Sequence, residues 1–347
     1  MSGKKLRFGI IGPGAIAKVH SYAIRCVDGA ELTAVYGRNP VAVDSFATAQ
    51  GIAGFSELDQ FLNSGLIDAV SIATASGTHL ELAIQAAQRG KHVLCEKPLE
   101  VTSQRTEQLI SICAQHQVKL GVYFQARFDE CTQLAKQAID QGRLGKLLFA
   151  SCQMRWFRSQ DYYDSAAWRG TWALDGGGCL MNQGIHSIDL LLYLAGQPAS
   201  VFAWQGPVTH QRIEVEDNLC AAVRFKNGAV GTVEASTSCA PGFPRRIEIS
   251  GEKGSIAIEG DQIVRWEFVD SRPEDQAMLA ETAGSVGGAA DPTAIDMEGH
   301  RLVVADFVSS VQENREPLIN GFEGKRSVDL ICAVYASLRS GTSVCLA

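Results

Sequence analysis

The chain has 347 residues, 46% hydrophobic and 20% charged, which fits two soluble globular domains that need neither disulfides nor a metal to fold. A formal net charge of −7, with lysine and arginine scattered along the chain, argues against a nucleic acid or an anionic membrane as partner. The ten cysteines are dispersed and form no CxxC pair, the pattern of buried, reduced thiols in a cytosolic protein and not of a disulfide or zinc framework.

Residues 1–5 lead into a short apolar stretch that ends at Gly12. It is too short for a signal-peptide core or a membrane span, and no later segment has enough uninterrupted apolar length to cross a bilayer, so a cytoplasmic protein is expected. Leu6–Ile11 is a continuous apolar run, as in a strand buried on both faces. It gives way to Gly12-Pro13-Gly14-Ala15-Ile16-Ala17 and helical spacing over 15–26. At a strand–helix junction this glycine turn has a specific use. Gly12 permits the tight turn, Gly14 leaves room for a pyrophosphate, and Ala17 allows the helix close to the strand. The helix N-terminus at Ala15 and Ile16 offers free amides to the anion.

Strands are expected at 31–36, 69–73, His92–Cys95 and 119–123, and helices at 42–50, 80–88 and 103–116. This alternation predicts a doubly wound parallel sheet with helices on both faces. A carboxylate at the end of the second strand would serve the ribose of NAD, but the strand ends in Tyr36-Gly37-Arg38-Asn39. Arg38 suits a 2′-phosphate or can stack on adenine, so NADP(H) is favoured, with NAD(H) open. Thr74 and His79, after the third long strand, are expected to line the cofactor cleft. Glu96-Lys97-Pro98 follows strand His92–Cys95 at the end that faces the crevice, and a cis Pro98 would aim Lys97 inward. A lysine there can take an alcohol proton as hydride leaves the carbon.

After residue 124 the pattern changes to strands at 148–155, 200–204, 219–225, 231–235, 246–250 and 255–259, with a hairpin signal at Asn227-Gly228. This predicts an α+β domain on an open, mostly antiparallel sheet. Residues 273–292 read as a surface loop, and 298–312 and 324–338 as helices. Trp168-Arg169 precedes Gly176-Gly177-Gly178, glycines that let the backbone approach something closely. Asn182, His186 and Asp189 follow at helical spacing, so one helix face should present an amide, an imidazole and a carboxylate. His20, His116 and His210 have no evident role. No HExxH, Walker loop or GxSxG elbow occurs.

These motifs together resemble the glucose–fructose oxidoreductase / inositol dehydrogenase / rhizopine-catabolism (Gfo/Idh/MocA) family. The resemblance runs from Gly9-Ile10-Ile11-Gly12 through Gly90-Lys91-His92-Val93-Leu94-Cys95-Glu96-Lys97-Pro98 to Gly176-Gly177-Gly178, His186 and Asp189. It implies a Rossmann domain over 1–124 and a substrate and oligomerisation domain over 125–347, with helix 324–338 returning to the first domain and a homodimer or homotetramer formed on the open sheet. It implies that Lys97 meets nicotinamide and the reacting hydroxyl and that His186 is catalytic. Glu96, Gln125, Trp168 and Arg169 fall on the cofactor side, and Arg127, Asn182 and His186 on the substrate side. No metal is implied. Many members carry Asp where this chain has Asn182, and Asn182-Gln183-Gly184-Ile185-His186 resembles the branch acting at the 3-position of nucleotide-linked N-acetylglucosaminuronate. Ala75 stands where relatives often have proline. The choice between Lys97 and His186 as proton acceptor stays open. The expected activity is NAD(P)-linked hydride transfer at a secondary alcohol of a sugar, sugar acid or polyol. A dihydrodiol or other non-sugar carbonyl reductase and a non-catalytic NAD(P) sensor are the rivals.

Overall fold

The computed structural model describes residues 5–275 and 297–346. Strand β1 (Leu6–Ile11) is buried except at Arg7, which pairs with Asp68, and its other residues are apolar or glycine. There follow α1 (Ala15–Arg25), β2 (Ala30–Tyr36), α2 (Pro40–Gln50), β3 (Ala53–Phe55), α3 (Leu58–Leu62), β4 (Ala69–Ile72), α4 (His79–Gln88), β5 (His92–Cys95), α5 (Ser103–Gln115) and β6 (Leu120–Val122). The six strands pair in parallel in the order β3-β2-β1-β4-β5-β6. Chain order reverses between β1 and β4, the switch point where doubly wound sheets bind ligands. The edge elements β3 and α3 escaped the sequence reading because three and five residues carry too little periodicity to register.

The second sheet begins after α6 (Glu130–Asp140), with β7 (Leu147–Arg155). Helix α7 (Gln160–Asp164), a π-helical turn at Cys179–Gly184 and α8 (Ile185–Ala195) come next. The remaining strands are β8 (Pro198–Gln205), β9 (Asn218–Phe225), β10 (Val230–Ser236), β11 (Arg246–Gly251), β12 (Gly254–Glu259) and β13 (Gln262–Phe268). Helices α9 (Met297–Gln312) and α10 (Gly321–Ser340) and the short β14 (Val344–Cys345) close the chain. The eight strands run β13-β12-β11-β7-β10-β9-β8-β14, and every pair is antiparallel except β7 with β10. In β9, Leu219, Ala221, Val223 and Phe225 point inward while Cys220, Ala222 and Arg224 are exposed. Helix α8, apolar nearly all round, lies on β7 and β11. On the outward face Phe149 and Val230 are paired neighbours, and both are exposed. That face also exposes Cys220; five of the ten free cysteines are buried, and Cys26, Cys220 and Cys345 are exposed, against the expectation of uniformly buried thiols.

The two compact units are not separated by a single cut. One comprises Met1–Gln125 with Asp296–Lys325, and the other Ala126–Ile295 with Arg326–Ala347. Helix α9 returns to α1, and its Phe307 ring lies 6.1 Å from that of Phe8. Helix α10 starts in the first unit, where Gly321 and Gly324 abut Leu120 and Val122. From Arg326 it belongs to the second, and there Ser337 Oγ accepts from the Ala203 amide at 3.1 Å. Only the first turn of this helix therefore lies with the first unit. The expected loop at 273–292 falls outside the described residues beyond Asp275. Among the described residues no helix is long and apolar enough to cross a membrane.

Phe307 is 1% exposed, so Phe307→Ala is expected to lower unfolding stability by about 3–5 kcal/mol. Denaturant unfolding of the purified variant measures this.

Candidate active site

Register places the ends of four strands of the first unit at one level. Ile11 pairs with both Tyr36 and Ile72, and Ile72 pairs with Cys95. Backbone bonds continue the ladder past the strand ends, from Gly12 to Tyr36, Ala73 to Ile11 and Glu96 to Ile72, at 2.8–3.0 Å. Gly12, Arg38, Thr74 and Lys97 thus emerge along the same carboxyl edge. Gly12 has φ +99°, and a Cβ there would lie 2.8 Å from the Thr74 methyl and 2.9 Å from the Ala73 carbonyl, so only glycine fits. Gly14 is exposed, with open space where a Cβ would stand. The first turn of α1 has no side-chain cap, which leaves amides near Ala15 and Ile16 to an anion.

The other cofactor candidates divide. Arg38 is exposed at the end of β2. Asn39 instead caps α2, its Oδ1 accepting from the Val41 and Ala42 amides at 3.1 and 3.3 Å. Thr74 Oγ1 bonds Thr78 Oγ1 at 2.8 Å. His79 is wholly buried, and its nitrogens face the carbonyls of Pro98 at 3.0 Å and Thr74 at 3.2 Å. Its ring is therefore a brace inside the fold and does not reach the cleft as a cofactor ligand. Gln125 is half-buried in the short turn that ends the first unit's main segment.

Lys97 is half-buried and precedes a cis Pro98. Glu96 beside it is buried. One carboxylate oxygen faces His20 Nε2 at 2.9 Å, and the other accepts the Lys97 amide at 3.1 Å. His20 Nδ1 meets Ser71 Oγ at 2.9 Å, and the His20 ring stacks on Tyr123 at 4.2 Å. Burial by itself would raise the Glu96 carboxyl, but the His20 hydrogen bond, with the charges of His20, Lys97 and His300, brings it down to about 2. His20, Glu96 and His300 offer ligand atoms within 4.8 Å of one another. His20 Nε2 is hydrogen-bonded to Glu96, and His300 Nε2 stands 4.0 Å from the same carboxylate oxygen. Sequence reasoning gave His20 no role, because its partner lies 76 residues away.

In the second unit the glycine run meets the protein itself. Glu216 accepts from the Gly178 and Leu180 amides at 2.9 and 3.0 Å and from the Tyr335 hydroxyl at 2.9 Å. A Cβ on Gly178 would lie 1.6 Å from the Glu216 carbonyl oxygen, and one on Gly177 would lie 2.2 Å from the Tyr335 hydroxyl. The close approach read from Gly176-Gly177-Gly178 is thus to Glu216 and Tyr335. Glu216 was not singled out in the sequence; its adjacent acids, Glu216-Asp217 at the mouth of an apolar strand, were the available signal.

Of Asn182, His186 and Asp189, only the last two lie in the regular helix α8. The π-helical turn that contains Asn182 breaks the α-helical spacing before His186, which opens α8 half-buried. Asn182 donates to Asp175 and accepts from Gln183 Nε2 at 2.8 Å. Asp189 is 1% exposed and takes Arg127 in a bidentate pair at 2.7 and 2.8 Å, the guanidinium lying 4.8 Å over Tyr193. Arg127, expected to face substrate, is therefore spent on a buried ion pair. Arg169 lies over Tyr162 at 4.1 Å and Trp168 at 4.7 Å. Gln183 joins this cluster, its Nε2 donating to the Tyr162 hydroxyl at 2.7 Å and its Oε1 accepting from Arg158 at 3.1 Å.

Burial pushes the Glu216 carboxyl up to about 7 from the ordinary 4.5, against the hydrogen bonds from Leu180, Tyr335 and Gly178. A raised carboxyl holds its proton more tightly folded than unfolded. Its contribution is full below about 4.5 and is lost as pH rises through about 7. Wild-type stability should therefore fall relative to Glu216→Gln across that window. Thermal unfolding of both proteins over the pH range measures the difference, and a constant offset would contradict the assignment.

Comparison with known proteins places both units. Residues 6–124 match the model of the oxidoreductase family with an NAD-binding Rossmann fold, and residues 132–257 match the GFO/IDH/MocA C-terminal domain. The WlbA dehydrogenase of Bordetella pertussis, solved with NADH and UDP-GlcNAcA, is 35% identical, with a TM-score of 0.91 over 100% of this chain and 99% of that one. The WlbA dehydrogenase of Chromobactrium violaceum, with the same two ligands, is 31% identical, with a TM-score of 0.90 over 100% and 97%. Inositol 2-dehydrogenase of Rhizobium meliloti (strain 1021) is 26% identical over 99% of both chains. With both halves matched and the likeness running end to end, the chain belongs to the GFO/IDH/MocA family of oxidoreductases.

Proposed function

We propose that this oxidoreductase moves a hydride between a nicotinamide dinucleotide and the 3-position secondary alcohol of a nucleotide-linked N-acetylglucosaminuronate. The observation that carries the reading is the full-length likeness, above 30% identity, to two dehydrogenases solved with NADH and UDP-GlcNAcA. The Asn182-Gln183-Gly184-Ile185-His186 segment agrees with it. The open glycine turn and uncapped α1 suit the pyrophosphate of the cofactor. When bound, the nicotinamide supplies the hydride acceptor. Lys97 Nζ takes the hydroxyl proton as the C–H bond breaks. His186 assists at the same hydroxyl, and Asn182 holds a neighbouring sugar hydroxyl, since an amide can orient but not carry a proton. Trp168 and Arg169 belong to the cofactor side of this reading.

NAD(H) is the first reading for the cofactor, because the relatives' structures hold NADH. Arg38, exposed at the end of β2 with no carboxylate in Gly37-Arg38-Asn39, favours NADP(H) as the second. Assembly as a homodimer or homotetramer through the outward sheet face around Phe149, Val230 and Trp204, and a cytoplasmic location, complete the proposal.

Oxidation of UDP-linked N-acetylglucosaminuronate, followed by nicotinamide absorbance, tests the substrate; turnover only of polyols or aromatic diols would overturn it. Lys97→Met is expected to lower kcat by roughly 10²–10⁴-fold with NAD still bound. Adding His186→Asn should cost less than the product of the two single losses, because groups acting on one step are non-additive. In a separate measurement, kcat/KM with NAD is expected to exceed that with NADP and to change little in Arg38→Ala. A large loss confined to NADP, with NADP preferred by the wild type, would select the second reading.

A further inference from the structure

We infer that His20 and His79 are positioning residues that grip the Lys97 turn from its two flanks and so set where the Lys97 amine points. This rests on the proposed role of Lys97 as proton acceptor. Lys97 lies between two residues whose polar groups are each held by a buried ring. On one side, Glu96 has one oxygen against His20 Nε2 at 2.9 Å and the other on the Lys97 amide at 3.1 Å. On the other side, the Pro98 carbonyl meets His79 Nδ1 at 3.0 Å. Proline has no amide hydrogen, so that carbonyl is its sole backbone hydrogen-bonding group.

Both rings are 0% exposed. They come from different elements, His20 from α1 and His79 from the start of α4. The second nitrogen of each ring faces β4 or its end. His20 Nδ1 meets Ser71 Oγ within β4 at 2.9 Å, and His79 Nε2 lies 3.2 Å from the carbonyl of Thr74 just beyond it, to which it donates only in the ring form that carries hydrogen on both nitrogens. β4 is the neighbour of β1, whose end carries the Gly12 turn. Between β5 and α5 the chain has no regular structure, so these side-chain ties fix the turn where ladder bonds run out. Displacing a reacting group by about 1 Å costs on the order of 10²-fold in rate, which gives such a grip kinetic weight.

The two nitrogens of each ring permit a test that a merely space-filling role would fail. An Asn amide lies near the position of Nδ1, and a Gln amide reaches toward Nε2. At position 79, Asn keeps the hold on Pro98 and Gln loses it. At position 20, Gln keeps the hold on Glu96 and Asn loses it. The expected order of kcat is therefore His79→Asn above His79→Gln, and the reverse at the other ring, His20→Gln above His20→Asn. The poorer amide at each position should fall roughly 10–100-fold below wild type, with KM for NAD changed by less than about threefold. Ser71→Ala, a small truncation, covers the case in which the His20 variants do not fold: it should lower kcat and leave that KM alone. The same order at both positions, kcat that merely follows the thermal midpoint, or an unchanged kcat in Ser71→Ala would overturn the inference. Lys97→Met is assayed beside these variants. If it stays active, the proposed role of Lys97 falls; if it is dead while the amide order is wrong, only the grip falls.

Discussion

The in-register pairing of β2, β1, β4 and β5 is the constraint on which the first unit's chemistry depends. Parallel strands need long crossovers, so residues at the strand ends are tens of positions apart in the chain yet a strand spacing apart in space. Tyr36, Ile11, Ile72 and Cys95 stand level with one another. The glycine turn, Arg38, Thr74 and Lys97 follow these residues directly. A slip of one residue in any pair would carry these strand ends out of line with one another.

Two buried glutamates show how partners decide the state of one residue type. Glu96 faces His20 and lies within reach of the charges of Lys97 and His300, and its carboxyl falls to about 2. Glu216 receives amides and a tyrosine hydroxyl, and burial dominates, raising it to about 7. Neutral donors do not offset desolvation as a cationic partner does. Both acids hold backbone beside residues of interest. Glu96 takes the amide of Lys97, and Glu216 takes those of Gly178 and Leu180, ahead of Asn182 and His186. Asn182 is an amide, and Asp175 supplies an acceptor for it.

The buried Arg127–Asp189 pair illustrates a limit of spacing arguments. Asp189 follows His186 by three residues within α8, a spacing that puts the two on one side of the helix. Spacing does not say what meets them there: the Asp189 carboxylate neutralises a guanidinium that is 5% exposed. Leaving either charge alone in that interior would cost about 3–5 kcal/mol, so the two residues fix each other and are withdrawn from solvent.

The sequence alone determined the class of the fold and the edge where ligand chemistry gathers. The alternation of apolar strands with helical spacing, the glycine turn after β1, the Glu-Lys-Pro turn after β5 and the Asn227-Gly228 hairpin between β9 and β10 are local signals, each written within about ten residues. What only the tertiary structure decided were the partners: His20 with Glu96, His79 with Pro98 and Thr74, Glu216 and Tyr335 with the triple glycine, Arg127 with Asp189, and α9 with α1. Periodicity records which side chains turn inward, because burial repeats with the backbone. It does not record which buried group meets which, because that depends on how distant elements are brought together.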